Sequence, residues 1–320
     1  MFCSTVIPTI GRSTLSRAVH SVLDQAFTAD DFEVIVVNDS GQPLPEADWQ
    51  RSGRVQVIHT HRRERCVARN AGAAVAKGRY LHFLDDDDWL LPGALKSLWE
   101  LAHHASGAVW LYGGSQLVDR AGEPLIQLHH RMNGNCFVQA MAGEWMPLQA
   151  SLIEANTFFA VGRFASLIPG EDVDLCRRVA LVGDMAGTSA LVACIAMGVE
   201  GSSTDYTRGP EHSRRAREKI LNEPGVLARM RASARSGFWH GRITRTYLTS
   251  ALWNLQHRNL LAATSRVLSG LVSLVLAGHH IVSSGFWCAV MRSYESETFL
   301  RGFREANRPV QRRDVRGRGQ

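Results

Sequence analysis

From its first residue the chain alternates short apolar runs with segments whose apolar residues recur at helical spacing. Phe2 to Ile7 is the first run, and Leu15, Ala18, Val19, Val22, Leu23 and Ala26 then mark one buried face of a helix. Phe32 to Val37 is almost continuously apolar and β-branched, as in a strand covered on both faces, and it stops at Asn38-Asp39-Ser40-Gly41. Val55 to His59 is a weaker strand. A small-residue helix follows from about Val67 to Ala76, with Gly78 expected as its left-handed cap. Tyr80 to Leu84 is a strand that runs straight into Asp85-Asp86-Asp87-Asp88-Trp89, and Pro92 stands where the next helix should open.

Further along, Ala108 to Tyr112 is a strand, and Gln116 to Val118 with Pro124 to Leu128 forms a hairpin around Asp119-Arg120-Ala121-Gly122. Gln149 to Ile153 is another strand. Pro169-Gly170-Glu171-Asp172 opens a helix whose Val173, Cys176, Val179 and Ala180 face inward. Its first turn carries Glu171 and Asp172, where acids also complement the helix dipole. The alternation predicts an α/β fold with a mostly parallel, Rossmann-like sheet. After about Tyr206 the strands stop and Pro210 to Arg235 is rich in charge and helix formers. The expected organisation is an α/β domain over 1–205, a helical region over 206–306 and a basic, disordered tail over 307–320.

Composition adds bounds. The 320 residues are 45% hydrophobic and 21% charged, which excludes a disordered chain and predicts a packed core. The net charge of +6 is almost all arginine, since Lys77, Lys96 and Lys219 are the lysines. Arginine suits bidentate contact with phosphate, but a GC-rich coding sequence explains the overall bias, so each arginine has to be argued from its position. Cys3, Cys66, Cys136, Cys176, Cys194 and Cys288 show no CxxC pair or zinc spacing and fit a reducing cytosol. Met1 to Ile10 has the pattern of a strand and not of a signal peptide, so a cytoplasmic location is expected.

The four adjacent acids lie at the carboxyl end of a buried strand, the edge at which open α/β sheets bind ligands. Four carboxylates in a row repel one another unless a cation neutralises them, and Mg²⁺ or Mn²⁺ does so while leaving positions for substrate phosphates. A solvated turn is the simpler explanation of an isolated acidic run; the strand before it favours the metal.

At this point the chain resembles a family 2 glycosyltransferase of GT-A fold with a helical carboxyl-terminal extension. Three segments carry the resemblance: Thr5-Val6-Ile7-Pro8-Thr9-Ile10-Gly11-Arg12; Ala68-Arg69-Asn70-Ala71-Gly72 with Gly78-Arg79-Tyr80 and Leu84 to Trp89; and Val161-Gly162-Arg163-Phe164 with Glu171-Asp172-Val173-Asp174-Leu175 and Arg178. The resemblance implies that Pro8, Thr9 and Arg12 line a nucleotide pocket, that Asp39 accepts a hydrogen bond from the base, and that Arg69 contacts the nucleotide or its phosphates. It implies that Asp85 and Asp87 are the DxD pair, Asp87 being the direct metal ligand, and that Asp86 reaches the ribose or sugar, although the unbroken run leaves the register open. Asp172 falls in the position of the general base, with inversion at the anomeric carbon as the stereochemical consequence. The donor is then a nucleotide-sugar, UDP-linked by preference, and the acceptor a glycan or glycolipid of the cell surface.

His212, in Tyr206 to His212, is a candidate metal or diphosphate ligand, and a solvated loop histidine is the alternative; Arg214 and Arg215 are similarly open. Trp145, within the segment Met132 to Pro147, is either a sugar-stacking aromatic or core. His103-His104 and His129-His130 lack a third ligand at metal spacing. Val267 to Met291 contains no charged residue. A buried helical hairpin is the first expectation there, with a helix on the inner membrane leaflet and a true span as alternatives. Two other classes compete: a sugar-phosphate nucleotidyltransferase, which needs a glycine-rich basic loop where this chain has Gly11-Arg12, and a nonenzymatic nucleic-acid binder, whose basic residues would need interleaved aromatics. Nucleic acid is therefore not an expected partner. A P-loop NTPase is excluded by the missing GxxxxGK[ST] loop.

Overall fold

The computed structural model describes residues 1–27, 32–130, 132–144, 146–165, 170–197, 218–233 and 236–291. Its elements are β1 (Cys3–Thr9), α1 (Leu15–Leu23), β2 (Phe32–Asn38), β3 (Val55–His59), α2 (Arg65–Val75), β4 (Tyr80–Phe83), β5 (Trp89–Leu90), α3 (Ala94–His104), β6 (Ala108–Val118), β7 (Pro124–Leu128), α4 (Phe137–Met141), β8 (Ser151–Glu154), α5 (Ala155–Ala160), α6 (Glu171–Val182) and β9 (Asp184–Ala196). Four helices follow: α7 (Val226–Ala232), α8 (Ser236–Gln256), α9 (Leu260–Ala277) and α10 (Ser284–Met291).

The strands form one sheet in the order β3-β2-β1-β4-β8-β6-β9-β5, with β7 beside β6. The half from β3 to β4 is parallel, as the buried apolar runs predict. The other half is mixed: β8 is antiparallel to both β4 and β6, whereas β6 and β9 are parallel. α1 and α3 cover one face, packing Val19, Val22, Leu95 and Leu98 on Ile7, Val34 and Leu111. α2, α5 and α6 cover the other, where Ala68, Phe158 and Leu175 meet Val6, Phe83 and Trp110. The carboxyl-terminal helices join through α4, whose Phe137 and Met141 pack with Met230 and Trp239.

Several expectations change. The predicted strands over 108–112 and 116–118 are one continuous strand, β6. α3 starts at Ala94 behind a left-handed Gly93, so Pro92 precedes the helix and does not form its first turn. α2 starts two residues earlier than predicted because the Glu64 side chain accepts from the Cys66 and Val67 amides and caps it. Gly78 is not the helix cap: Ala76 ends the helix in extended conformation. Gly78 is needed for close approach, since a Cβ there would lie 2.5 Å from the Cys3 carbonyl carbon. The buried hairpin expected over 267–291 is also overturned, because most of the apolar side chains of α9 face outward.

Candidate active site

β1 and β4 are parallel neighbours with Val6 opposite Phe83, so both chains leave the sheet at the same edge. The turn after β1 therefore meets the acids after β4. Thr9 Oγ1 donates to Asp86 Oδ2 at 2.5 Å and accepts from the Gly11 amide, where a φ of +87° lets the chain turn. Arg12 Nη1 donates to Asp86 Oδ1 at 2.5 Å and lies 3.9 Å from Asp87. Asp86 is thereby held against the β1 turn, with its carboxyl raised by burial in spite of these donors. Pro8 lies on β1 opposite Val37 at the same edge, half-buried.

Asp85, Asp87 and Asp88 converge instead. One oxygen from each lies within 4.8 Å of the others, a hard oxygen set that fits a divalent cation of the Mg²⁺ or Mn²⁺ class. Asp85 is held by Arg69 Nη2 at 2.6 Å and by Gln149 Nε2 at 3.0 Å, and Asp88 accepts from the Ala196 amide at 2.8 Å. Burial and the neighbouring Asp85 push the Asp87 carboxyl up to about 6, and burial with Asp87 and Asp85 pushes Asp88 well above the usual range. A cation would relieve both, because it favours the ionised forms. Asp88 thus joins the expected pair; His212 lies outside the described residues, as do Trp145, Arg214 and Arg215.

The second acidic site is the first turn of α6. Glu171 is buried and takes Arg65 Nε at 2.7 Å and Arg69 Nη1 at 3.0 Å. Arg69, expected to contact the nucleotide or its phosphates, has its guanidinium engaged by Glu171 on one side and Asp85 on the other. Asp172, next along, has no arginine within ion-pair distance among the described residues, and its Oδ1 accepts from the Val173 amide. Burial, then the adjacent Glu171, raise its carboxyl to about 6. Asn70 exchanges two hydrogen bonds with the backbone of Phe164, so the Arg69-Asn70 pair clasps α2 to the segment before α6.

Asp39 follows β2 at the same sheet edge, where its amide donates to the Thr9 carbonyl at 2.8 Å. Its oxygens accept from Thr60 Oγ1 at 2.8 Å and from the Arg62 and Glu64 amides at 2.6 Å. Burial would raise this carboxyl, but those donors hold it below the usual range. A base contacting Asp39 would share it with the loop it already anchors.

Residues that the sequence reading missed supply the framework. His82, pushed down to about 4 by burial, is neutral; its Nε2 faces the Gln149 carbonyl at 2.9 Å and so carries the proton, leaving Nδ1 to accept from Thr5. Gln149, fixed in this way, orients Asp85. Arg17 lies 3.8 Å over the Trp89 ring and donates to the Asp87 carbonyl, bracing the acidic turn. Arg65 was legible, lying four residues before Arg69 on the same helix face; Gln149 left no sequence signal.

Comparison with known proteins bears on the family and the fold. The sequence profile of Glycosyl transferase family 2 matches residues 4–162, which include β1, the Arg69 helix and the acidic turn. The poly(ribitol-phosphate) beta-N-acetylglucosaminyltransferase TarP of Staphylococcus aureus (strain N315) is 31% identical over 102 residues, 30% of this chain and 31% of that protein. The GalNAc(5)-diNAcBac-PP-undecaprenol beta-1,3-glucosyltransferase of Campylobacter jejuni is 29% identical over 126 residues, 37% of this chain and 39% of that one. The matched stretch thus spans about a third of the length of these two curated relatives. The crystal structure of S. aureus TarS 1-349 in complex with UDP-GlcNAc superposes with a TM-score of 0.58 over 87% of this chain and 92% of that chain. At 15% identity that likeness is one of fold.

Proposed function

We propose that this chain, which belongs to glycosyl transferase family 2, moves a sugar from a UDP-linked donor to a hydroxyl of a glycan or glycolipid in polysaccharide synthesis, with a divalent cation and with inversion. The observation that carries the reading is the position of Arg69, one guanidinium holding Asp85 of the acidic turn and Glu171 beside Asp172. Transfer needs two carboxylate sites flanking one sugar, and this bridge ties the turn that carries Asp87 to the helix turn that carries Asp172.

Pro8, Thr9 and Arg12 line the nucleotide side, with Asp39 at its far end and Asp86 toward the ribose. Asp87, with Asp85 and Asp88, would hold the cation, which when bound stabilises charge on the departing diphosphate. Asp172 takes the proton from the acceptor hydroxyl as its oxygen attacks the anomeric carbon. A carboxyl raised to about 6 is mostly ionised at neutral pH and a better base than an exposed aspartate. Arg65 and Arg69 pair with Glu171 and so limit how far its charge disturbs Asp172. Direct displacement by that oxygen inverts the centre.

The UDP preference is supported by the TarS complex and the acceptor class by the printed names of the relatives. Family membership favours this reading over the nucleotidyltransferase and nucleic-acid alternatives. The test is nucleoside-diphosphate release from UDP-, GDP- and dTDP-sugars, with Mn²⁺ and with EDTA. Metal-dependent UDP release is expected; formation of a nucleotide-sugar from UTP and a sugar phosphate would overturn the reading.

A further inference from the structure

The helices α8 and α9 are built inside out. The buried positions of α9 are Ala263, Gly270, Ser273 and Ala277, while Leu261, Leu268, Val272 and Val275 are 88%, 57%, 57% and 79% exposed. α8, which packs Trp239 against α4 near its start, shows the same inversion from Thr244 onward: it buries Thr244, Thr246, Ser250, Ala251 and Asn254, and exposes Leu248, Leu252 and Leu255. α9 presents small and hydroxyl side chains to α8: Ser273 Oγ accepts from Thr244 Oγ1 at 3.3 Å, and Gly270 lies against Tyr247 and the edge of Leu248. A helix surrounded by water has the opposite arrangement, with its apolar stripe against the core. Small residues at the helix–helix contact and leucine outward is the arrangement that suits a hydrocarbon surround.

Charge identifies which apolar surround. Between Glu223 and Glu295 there are 71 residues without an aspartate or glutamate, and they include eight arginines. The open groove along α8 and α9, about 1050 Å³, has Leu268, Val272 and Ile243 along its walls, and its basic lining residues are Arg231, His240, His279 and His280. Among the described residues, no carboxylate lines it. A second copy of this chain would bring the same positive field against itself, whereas a leaflet of anionic lipid supplies both acyl chains and phosphates.

We propose that α8 and α9 dock on an anionic membrane leaflet, with their outward leucines and valines in the acyl region and Arg231 and the groove histidines at phosphate level. The docking goes beyond the transferase reading and does not depend on it. The test is flotation of the full chain with vesicles of phosphatidylcholine alone and of phosphatidylcholine mixed with phosphatidylglycerol. Recovery on the mixed vesicles roughly tenfold above that on the neutral ones is expected, falling with added salt. The double substitution Leu268→Asp and Val275→Asp, both outward, should return recovery to background with the thermal transition and UDP binding unchanged. A milder Val275→Ser variant gives a partial loss and covers misfolding of the first. Absence from the floating fraction, or equal recovery on neutral vesicles, overturns the proposal. So does a non-floating wild-type dimer that the double substitution converts to monomer, which would assign the face to self-association.

Discussion

Arg69 serves two acids with different nitrogens, and that fork is what lysine cannot copy. Arg69→Lys should keep one ion pair, lose the other and shift Asp172 relative to the donor, lowering kcat/KM on the order of 100-fold; an unchanged kcat/KM would remove the bridge from the account. Asp172→Asn should abolish turnover while leaving UDP affinity within about threefold, a difference of well under 1 kcal/mol. Its pH behaviour is signed. The base must be ionised, so wild-type kcat/KM should fall below about pH 6 with unit slope. Stability should run the opposite way: a carboxyl raised in the folded state opposes folding once ionised. Asp172→Asn should therefore melt above wild type at pH 7.5, and the gap should close as the pH falls through the raised value toward the ordinary carboxylate range. At this scale the acids were legible because they follow a buried strand. The partners of Arg69 were not: Glu171 is 102 residues away and only the fold brings it there.

The elements that carry the site were legible where periodicity is clean and were lost where glycine interrupts it. β9, with Gly187 inside it, was missed, and Gly113-Gly114 split β6 in the reading of the sequence. These glycines are packing requirements: a Cβ at Gly187 would lie 2.3 Å from the Tyr112 ring, and one at Gly113 2.6 Å from Val192. The glycine that seats α2 on the sheet works in the same way, since a Cβ at Gly72 would lie 2.4 Å from Val6 Cγ1 and 2.9 Å from Val37 Cγ2. Gly72→Ala should cost about 1–3 kcal/mol in chemical denaturation, and Gly78→Ala, which meets backbone that has no rotamer to change, should lie at the upper end of that range or above. A neutral Gly78→Ala would show that β4 and β1 are looser than described.

At the scale of the whole molecule, the α/β half follows from its alternation, but the carboxyl-terminal helices defeat a reading in which apolar means buried. The uncharged stretch 267–291 suggested a buried hairpin, whereas the fold buries Gly270, Ser273 and Ala277 and turns the leucines outward. The contact sets that choice: small residues let α9 approach α8 closely, with Gly270 against Tyr247 and Leu248. The central claim concerns the acidic turn after β4, where one oxygen each of Asp85, Asp87 and Asp88 lie within 4.8 Å of one another and are proposed to hold a cation at the donor diphosphate. Calorimetric titration of UDP into the wild-type chain and into Asp87→Ala, each with Mn²⁺ and with EDTA, tests it most directly. The account predicts binding by wild type with Mn²⁺ that EDTA abolishes and that Asp87→Ala lacks in either condition. Equal UDP binding by wild type and Asp87→Ala in the presence of Mn²⁺ would contradict it.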